Sequence, residues 1–118
     1  METRPVLIAG EWRQANSDDS FAAFNPSTGE RLVESYPVSN WKDVDEALTA
    51  AAAVADELRW MPGERIAEFL NDYASRLETN QSSICAAAHE ETGLPVKPRL
   101  ADAELPRTVG QLRQAAEA

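Results

Sequence analysis

The spacing of apolar positions changes character near residue 40. Before that point the apolar runs are short and rich in β-branched and aromatic residues. Val6-Leu7-Ile8, the break Ala9-Gly10-Glu11 and then Trp12-Arg13-Gln14 predict a small hairpin. Asn16 to Ser20 is a polar loop, and Phe21 to Phe24 reads as a second short strand. Asn25-Pro26-Ser27-Thr28-Gly29-Glu30 is a turn, in which proline fixes one φ and glycine admits a positive one. Arg31 to Val38 reads as extended chain again.

After residue 40 the period becomes helical. Asn40 is placed to cap a first helix, with Asp43 in its first turn and Val44, Ala47, Leu48, Ala51, Ala55 and Leu58 on one face. Pro62 suits the start of a second helix, whose apolar face is Ile66, Phe69, Leu70, Tyr73 and Leu77. Asn80 is placed to cap a third helix, which carries Ile84, Ala87 and Ala88 and stops at Gly93. A fourth helix starts near Pro98. Pro106 lies inside it and is expected to kink it, since an interior proline costs about 3 kcal/mol. Val109 to Ala118 still reads as helix, with no stop signal, so the chain ends in mid-element. The reading is of one segment over 1–118, mainly α with short N-terminal β-hairpins (α+β). Strands and turns occupy 1–38 and about four helices occupy 40–118.

The length, 118 residues, allows one domain. At 43% hydrophobic residues the chain has the composition of a globular protein. A net charge of −9 argues against a nucleic-acid surface, which needs clustered Lys and Arg. The single cysteine, Cys85, excludes an internal disulfide and fits a reducing, cytoplasmic setting. No apolar stretch is long enough for a membrane span, and Met1 to Pro5 shows no signal-peptide core.

Candidate chemistry is sparse. Cys85 would need a base and some exposure to act as a nucleophile, and its neighbours Ser83, Ile84 and Ala86 to Ala88 read as a small apolar helix face. His89, the single histidine, follows one helical turn later, so a Cys85–His89 thiol pair is conceivable without a third orienting group. The paired acids Glu90-Glu91, Asp18-Asp19 and Asp43 with Asp45 and Glu46 read mostly as solvated faces or loops. The five glycines are too scattered for a phosphate-binding loop.

Five blocks in order resemble the start of the aldehyde dehydrogenase superfamily. They are Ile8-Ala9-Gly10-Glu11-Trp12, the stretch Phe21-Ala22-Ala23-Phe24-Asn25-Pro26-Ser27-Thr28-Gly29-Glu30, Asp43-Val44-Asp45-Glu46-Ala47, Glu64-Arg65 followed by Leu70, and Glu91-Thr92-Gly93. The tail narrows the likeness. Thr92-Gly93-Leu94-Pro95, Glu104 and Arg107-Thr108-Val109-Gly110-Gln111-Leu112-Arg113 are similar to the branch that oxidises α-ketoglutarate semialdehyde (2,5-dioxopentanoate), which also holds NADP-dependent fatty aldehyde dehydrogenases. Commoner branches carry Lys where Leu94 stands, and Pro106 departs from the pattern.

The resemblance implies the N-terminal portion of the aldehyde dehydrogenase α/β fold, without its sheet core. It implies oxidation of an aldehyde to an acid through a thiohemiacetal on a cysteine, with hydride passing to NAD(P)+. The family's catalytic cysteine, general-base glutamate, oxyanion asparagine and cofactor loop lie downstream, so none maps here and Cys85 does not match the nucleophile. The 118-residue chain alone is therefore expected to be inactive and to bind no NAD(P). The resemblance further implies a Na+ or K+ ion held by carbonyls at Ala23 and Phe24 and by Glu91, hard oxygen ligands suited to such an ion. It implies a homo-oligomer, and an apolar face covered by the remainder of the parent enzyme or by another copy. The alternative is a non-catalytic helical interaction module built on the same scaffold.

Overall fold

The computed structural model describes residues 3–118. Met1 and Glu2, part of the stretch examined for a signal-peptide core, lie outside the described residues. The chain divides into two units, Met1–Phe24 with Glu30–Trp60, and Asn25–Gly29 with Met61–Ala118.

The first unit begins with an antiparallel hairpin, β1 (Val6–Ile8) and β2 (Glu11–Arg13), in the register Val6 to Arg13, Leu7 to Trp12 and Ile8 to Glu11. Both turn residues take positive φ, 52° at Ala9 and 84° at Gly10, which suits the right-handed twist of the strands. Glycine adopts this freely, whereas Ala9 carries a strain of about 1–2 kcal/mol.

A second pair, β3 (Ser20–Phe21) and β4 (Tyr36–Pro37), places the rings of Phe21 and Tyr36 5.6 Å apart. These strands are shorter than the predicted 21–24 and 31–38. Pro37 has no N–H to extend the ladder, and beyond Phe21 the pairing resumes as one isolated bridge, Phe24 to Arg31.

α1 (Trp41–Arg59) starts as the sequence indicates, with the Asn40 side chain accepting from the Asp43 N–H at 3.3 Å. β1 lies against this helix, and Ile8 is buried. The predicted apolar face of α1 is nonetheless largely open. Leu48 is 58% exposed and Leu58 51%, while Asp43 is the buried residue of the helix.

The second unit is built on α2 (Gly63–Thr79) packed along α4 (Leu105–Glu117), with α3 (Gln81–Thr92) beside them. The buried and half-buried positions of α2 are Ala67, Leu70, Ala74 and Leu77, spaced three or four apart. Those of α4 are Leu105, Val109, Leu112, Arg113 and Ala116. Small side chains on both helices let the axes approach closely. Across this seam Arg113 reaches Glu78 at 2.8 Å. Of the predicted face of α2, Leu70 and Leu77 turn inward, while Ile66, Phe69 and Tyr73 are exposed.

Pro62 stands at the start of α2, as the residue before its first helical one. One cap expectation is corrected. Asn80 does not cap α3 with its side chain; its Nδ2 donates back to the Arg76 carbonyl at 2.8 Å and closes the end of α2. On α3 the inward residues are Ile84, Cys85 and Ala88, and Ala87 faces out. Cys85 packs with Leu100, Ala101 and Leu105 in the core of this unit.

The expected helix from Pro98 is present, but its first turns are wide. Over Val96–Glu104 the bonds skip to the fifth residue, as in Leu105 N–H to the Leu100 carbonyl. Lys97, held extended by the following Pro98, is the non-helical residue of this stretch. Pro106 therefore does not break an α-helix from within. It falls in the first turn of α4, where the missing N–H has no α-helical acceptor to lose.

Candidate functional site

In the first unit the densest polar arrangement surrounds Asp43, which is 1% exposed. Its Oδ2 accepts from the Asn16 backbone N–H at 2.7 Å, and its Oδ1 accepts from Asn16 Nδ2 at 2.7 Å and from Arg13 Nη2 at 3.2 Å. Arg13 also donates to Glu46 at 2.7 Å. The Asn40 N–H donates to the Asn16 carbonyl at 3.0 Å.

Every carboxylate oxygen of Asp43 is thus partnered at the positive end of α1. The Asn16 side-chain hydrogen bond first, then its N–H and the Arg13 charge, outweigh burial and hold the Asp43 carboxyl below the usual range. The sequence reading of Asp43 as one of a group of solvated acids is corrected on this point. Its signal was available in part, since an acid at the third helical position after Asn40 is a capping position. Its partners Arg13 and Asn16 lie some thirty residues earlier, and only folding brings them there.

In the second unit two sequence blocks meet. Gly93 ends α3 at φ 72°, and its N–H donates to the His89 carbonyl at 2.9 Å. A Cβ placed on Gly93 would lie 3.0 Å from Ser27 Oγ and 3.3 Å from Pro26 Cγ. The Asn25–Gly29 turn is held by its own asparagine, whose Oδ1 accepts from the Ser27 N–H at 2.9 Å and whose carbonyl accepts from the Gly29 N–H at 2.7 Å. The Asn-Pro-Ser-Thr-Gly turn and the Glu-Thr-Gly turn therefore pack together, and glycine is required at the point of closest approach.

Of the residues weighed for chemistry, Cys85 is 1% exposed within an apolar cluster. His89 is exposed, and its Nδ1–H donates to the Leu94 carbonyl at 2.7 Å. Their helical spacing does not join them, and no hydrogen bond links the two among the described residues. The Ala23 carbonyl accepts from the Leu32 N–H at 2.9 Å, and Phe24 forms the bridge to Arg31. Glu91 is exposed in the last turn of α3. Ala23 and Phe24 belong to the first unit and Glu91 to the second.

No glycine among the described residues stands in a turn from a strand into a helix, the setting of a dinucleotide's phosphate loop. Gly10 and Gly29 sit in turns between extended segments, Gly93 ends a helix and Gly110 lies within one. Gly63 opens a helix but follows Met61-Pro62 rather than a strand. No helix among the described residues is long and apolar enough to cross a membrane.

The sequence pattern described as "Aldehyde dehydrogenase family" matches residues 12–118. Alpha-ketoglutaric semialdehyde dehydrogenase 2 of Azospirillum brasilense is 35% identical over 114 residues, covering 96% of this chain and 21% of that protein. Acetaldehyde dehydrogenase 2 of Cupriavidus necator is 36% identical over 107 residues, covering 90% and 21%. The chain thus spans about a fifth of the length of these relatives. Among solved structures, a benzaldehyde dehydrogenase from Corynebacterium glutamicum superposes with a TM-score of 0.85 at 22% identity, covering 99% of this chain and 25% of that one. An NADP-dependent glyceraldehyde-3-phosphate dehydrogenase from Bacillus halodurans, solved with NADP, gives 0.87 at 23% identity, covering 99% and 24%.

Proposed function

The chain belongs to the aldehyde dehydrogenase family, and from that premise we propose that it is the N-terminal part of an NAD(P)-dependent enzyme that oxidises an aldehyde to its carboxylic acid. In the net reaction the aldehyde carbon loses a hydride to NAD(P)+ and gains an oxygen from water, with one proton released and a second when the acid ionises. The family match over residues 12–118 carries this reading.

α-Ketoglutarate semialdehyde is the substrate we favour, with fatty aldehydes next. The support is the run Thr92-Gly93-Leu94-Pro95 together with the semialdehyde dehydrogenase among the relatives. The chemistry belongs to the larger part of such an enzyme. This chain's contribution is scaffolding: the Asp43 cluster fixes the N-terminal hairpin to α1, and the Gly93 contact fixes the end of α3 to the Asn25–Gly29 turn. A monovalent cation dependent on Glu91 is part of the same proposal, and an anomalous-scattering experiment with Rb+ tests it.

The decisive experiment replaces the corresponding stretch of the Azospirillum enzyme with this chain. The chimera is expected to reduce NAD+ or NADP+ when given the semialdehyde, and the isolated chain is expected to do neither. A folded chimera without activity, or turnover by the isolated chain, would overturn the reading.

A further inference from the structure

An asparagine loses its side-chain amide when the backbone nitrogen of the next residue attacks the side-chain carbon. The reaction therefore depends on which residue follows and on how freely the chain turns there. Of the five asparagines in this chain, four are badly placed for it. Asn25 is followed by Pro26, whose nitrogen carries no proton to give up. Asn71 lies inside α2, where backbone nitrogens are tied into the helix. Asn80 lies between two helices, with its amide on the Arg76 carbonyl. Asn40 precedes the bulky Trp41, and its side-chain oxygen caps α1. Asn16 alone combines an exposed position in irregular chain with a small following residue, Ser17.

Asn16 also ties the N-terminal hairpin to α1. Its N–H and its Nδ2 each donate to Asp43 at 2.7 Å, and its carbonyl accepts from the Asn40 N–H at 3.0 Å. Loss of the amide turns the Nδ2 donor into a carboxylate oxygen facing the carboxylate of Asp43, which is 1% exposed. Arg13 is already shared between Asp43 and Glu46 and cannot offset a third acid. We propose that Asn16 is a site of spontaneous deamidation, and that its conversion releases the Val6–Arg13 hairpin from α1. The Ser17 nitrogen bonds to the Asn16 side-chain carbon, the bond from that carbon to Nδ2 breaks, and ammonia leaves. Water then opens the resulting ring at either carbonyl, giving aspartate or isoaspartate. In isoaspartate the chain runs through the former side chain, so the carbonyl that accepts from Asn40 becomes a free carboxylate as well. Loss of ammonia makes the change one-way.

The test ages the 118-residue chain in mildly alkaline buffer, with peptide mapping by mass spectrometry and hydrogen exchange on the same samples. Asn16 is expected to convert on the order of tenfold faster than any of the other four asparagines, because its loop opens locally and the helices do not. Ser17→Thr keeps the hydroxyl and crowds the attacking nitrogen with a β-branch, and is expected to slow the conversion several-fold. Converted molecules are expected to have lost hairpin protection while α4 keeps its own. Asn16→Asp is expected to show the same local loss at neutral pH without ageing.

Another asparagine converting first would overturn the proposal. So would an Asn16 that stays intact for the time in which a free peptide spanning residues 13–20 converts. Full hairpin protection in the converted chain, or a loss spread equally over α4, would refute the release of the hairpin.

Discussion

α1 and α4 carry apolar residues at the same helical spacing and end in opposite circumstances. On α4, Leu105 and Val109 are 8% and 5% exposed, and Leu105 belongs to the cluster with Cys85, Leu100 and Ala101. On α1, Leu48 and Leu58 remain more than half exposed, and the one buried residue is a charged one, Asp43. The second unit is therefore packed on apolar side chains, while the most buried side chain of the first is a carboxylate, held by hydrogen bonds from Asn16 and an ion pair with Arg13. Periodicity reports which face of a helix is apolar. It does not report whether the chain itself supplies the cover.

Substitutions in the two units test this difference. The largest effect is expected from Leu105→Ala, which removes a buried side chain from the apolar cluster and should cost about 3 kcal/mol of stability in a urea melt. A loss below about 1 kcal/mol would mean that the second unit is not held by this core.

Next is Asp43→Ala, which leaves Arg13 and Asn16 without their shared acceptor. Hydrogen exchange should show the Val6–Arg13 hairpin losing most of its protection while α4 keeps its own. The wild-type hairpin should show the same loss in acid. The Asp43 carboxyl is depressed in the folded chain, so its contribution is complete above the unfolded value near 4 and disappears as pH falls through the lower folded value. Hairpin protection that does not fall at all as the solution is acidified below the unfolded value would contradict the polar account.

Gly93→Ala comes third, at about 2 kcal/mol. It combines a positive φ with a methyl group only 3.0 Å from Ser27 Oγ. Thermal melting of the variant beside a Gly110→Ala control, where nothing lies within 4 Å, separates this contact from a general glycine effect. The smallest effect is expected from Leu48→Lys on α1, within about 0.5 kcal/mol in the isolated chain. A clearly destabilised Leu48→Lys would show that α1 is covered after all and would erase the contrast between the units.

Much of the local structure was legible. The hairpin at Ala9-Gly10, the Asn40 cap, the Gly93 stop and the boundaries of α1 to α3 follow from turn chemistry, capping and period, because each depends on residues a few positions apart. The bland reading of Cys85 as a small buried helix residue also holds. The misreadings share one cause. The inner face of α2 depends on where α4 lies, and the role of Asn80 depends on which of two adjoining helix ends its amide reaches. The course of the chain at Pro106 depends on a wide turn begun several residues earlier.

By itself the sequence determined the family, the order of elements and the local caps, since these are written in short-range patterns and in blocks of residues in order. Tertiary structure decided which apolar strip of α2 is buried, which acid becomes the pin of the hairpin, and that the two turn motifs meet at Gly93. The physical reason is that burial and hydrogen-bond partnership are properties of pairs of distant residues. A one-dimensional pattern names the members of such pairs without saying which of them will touch.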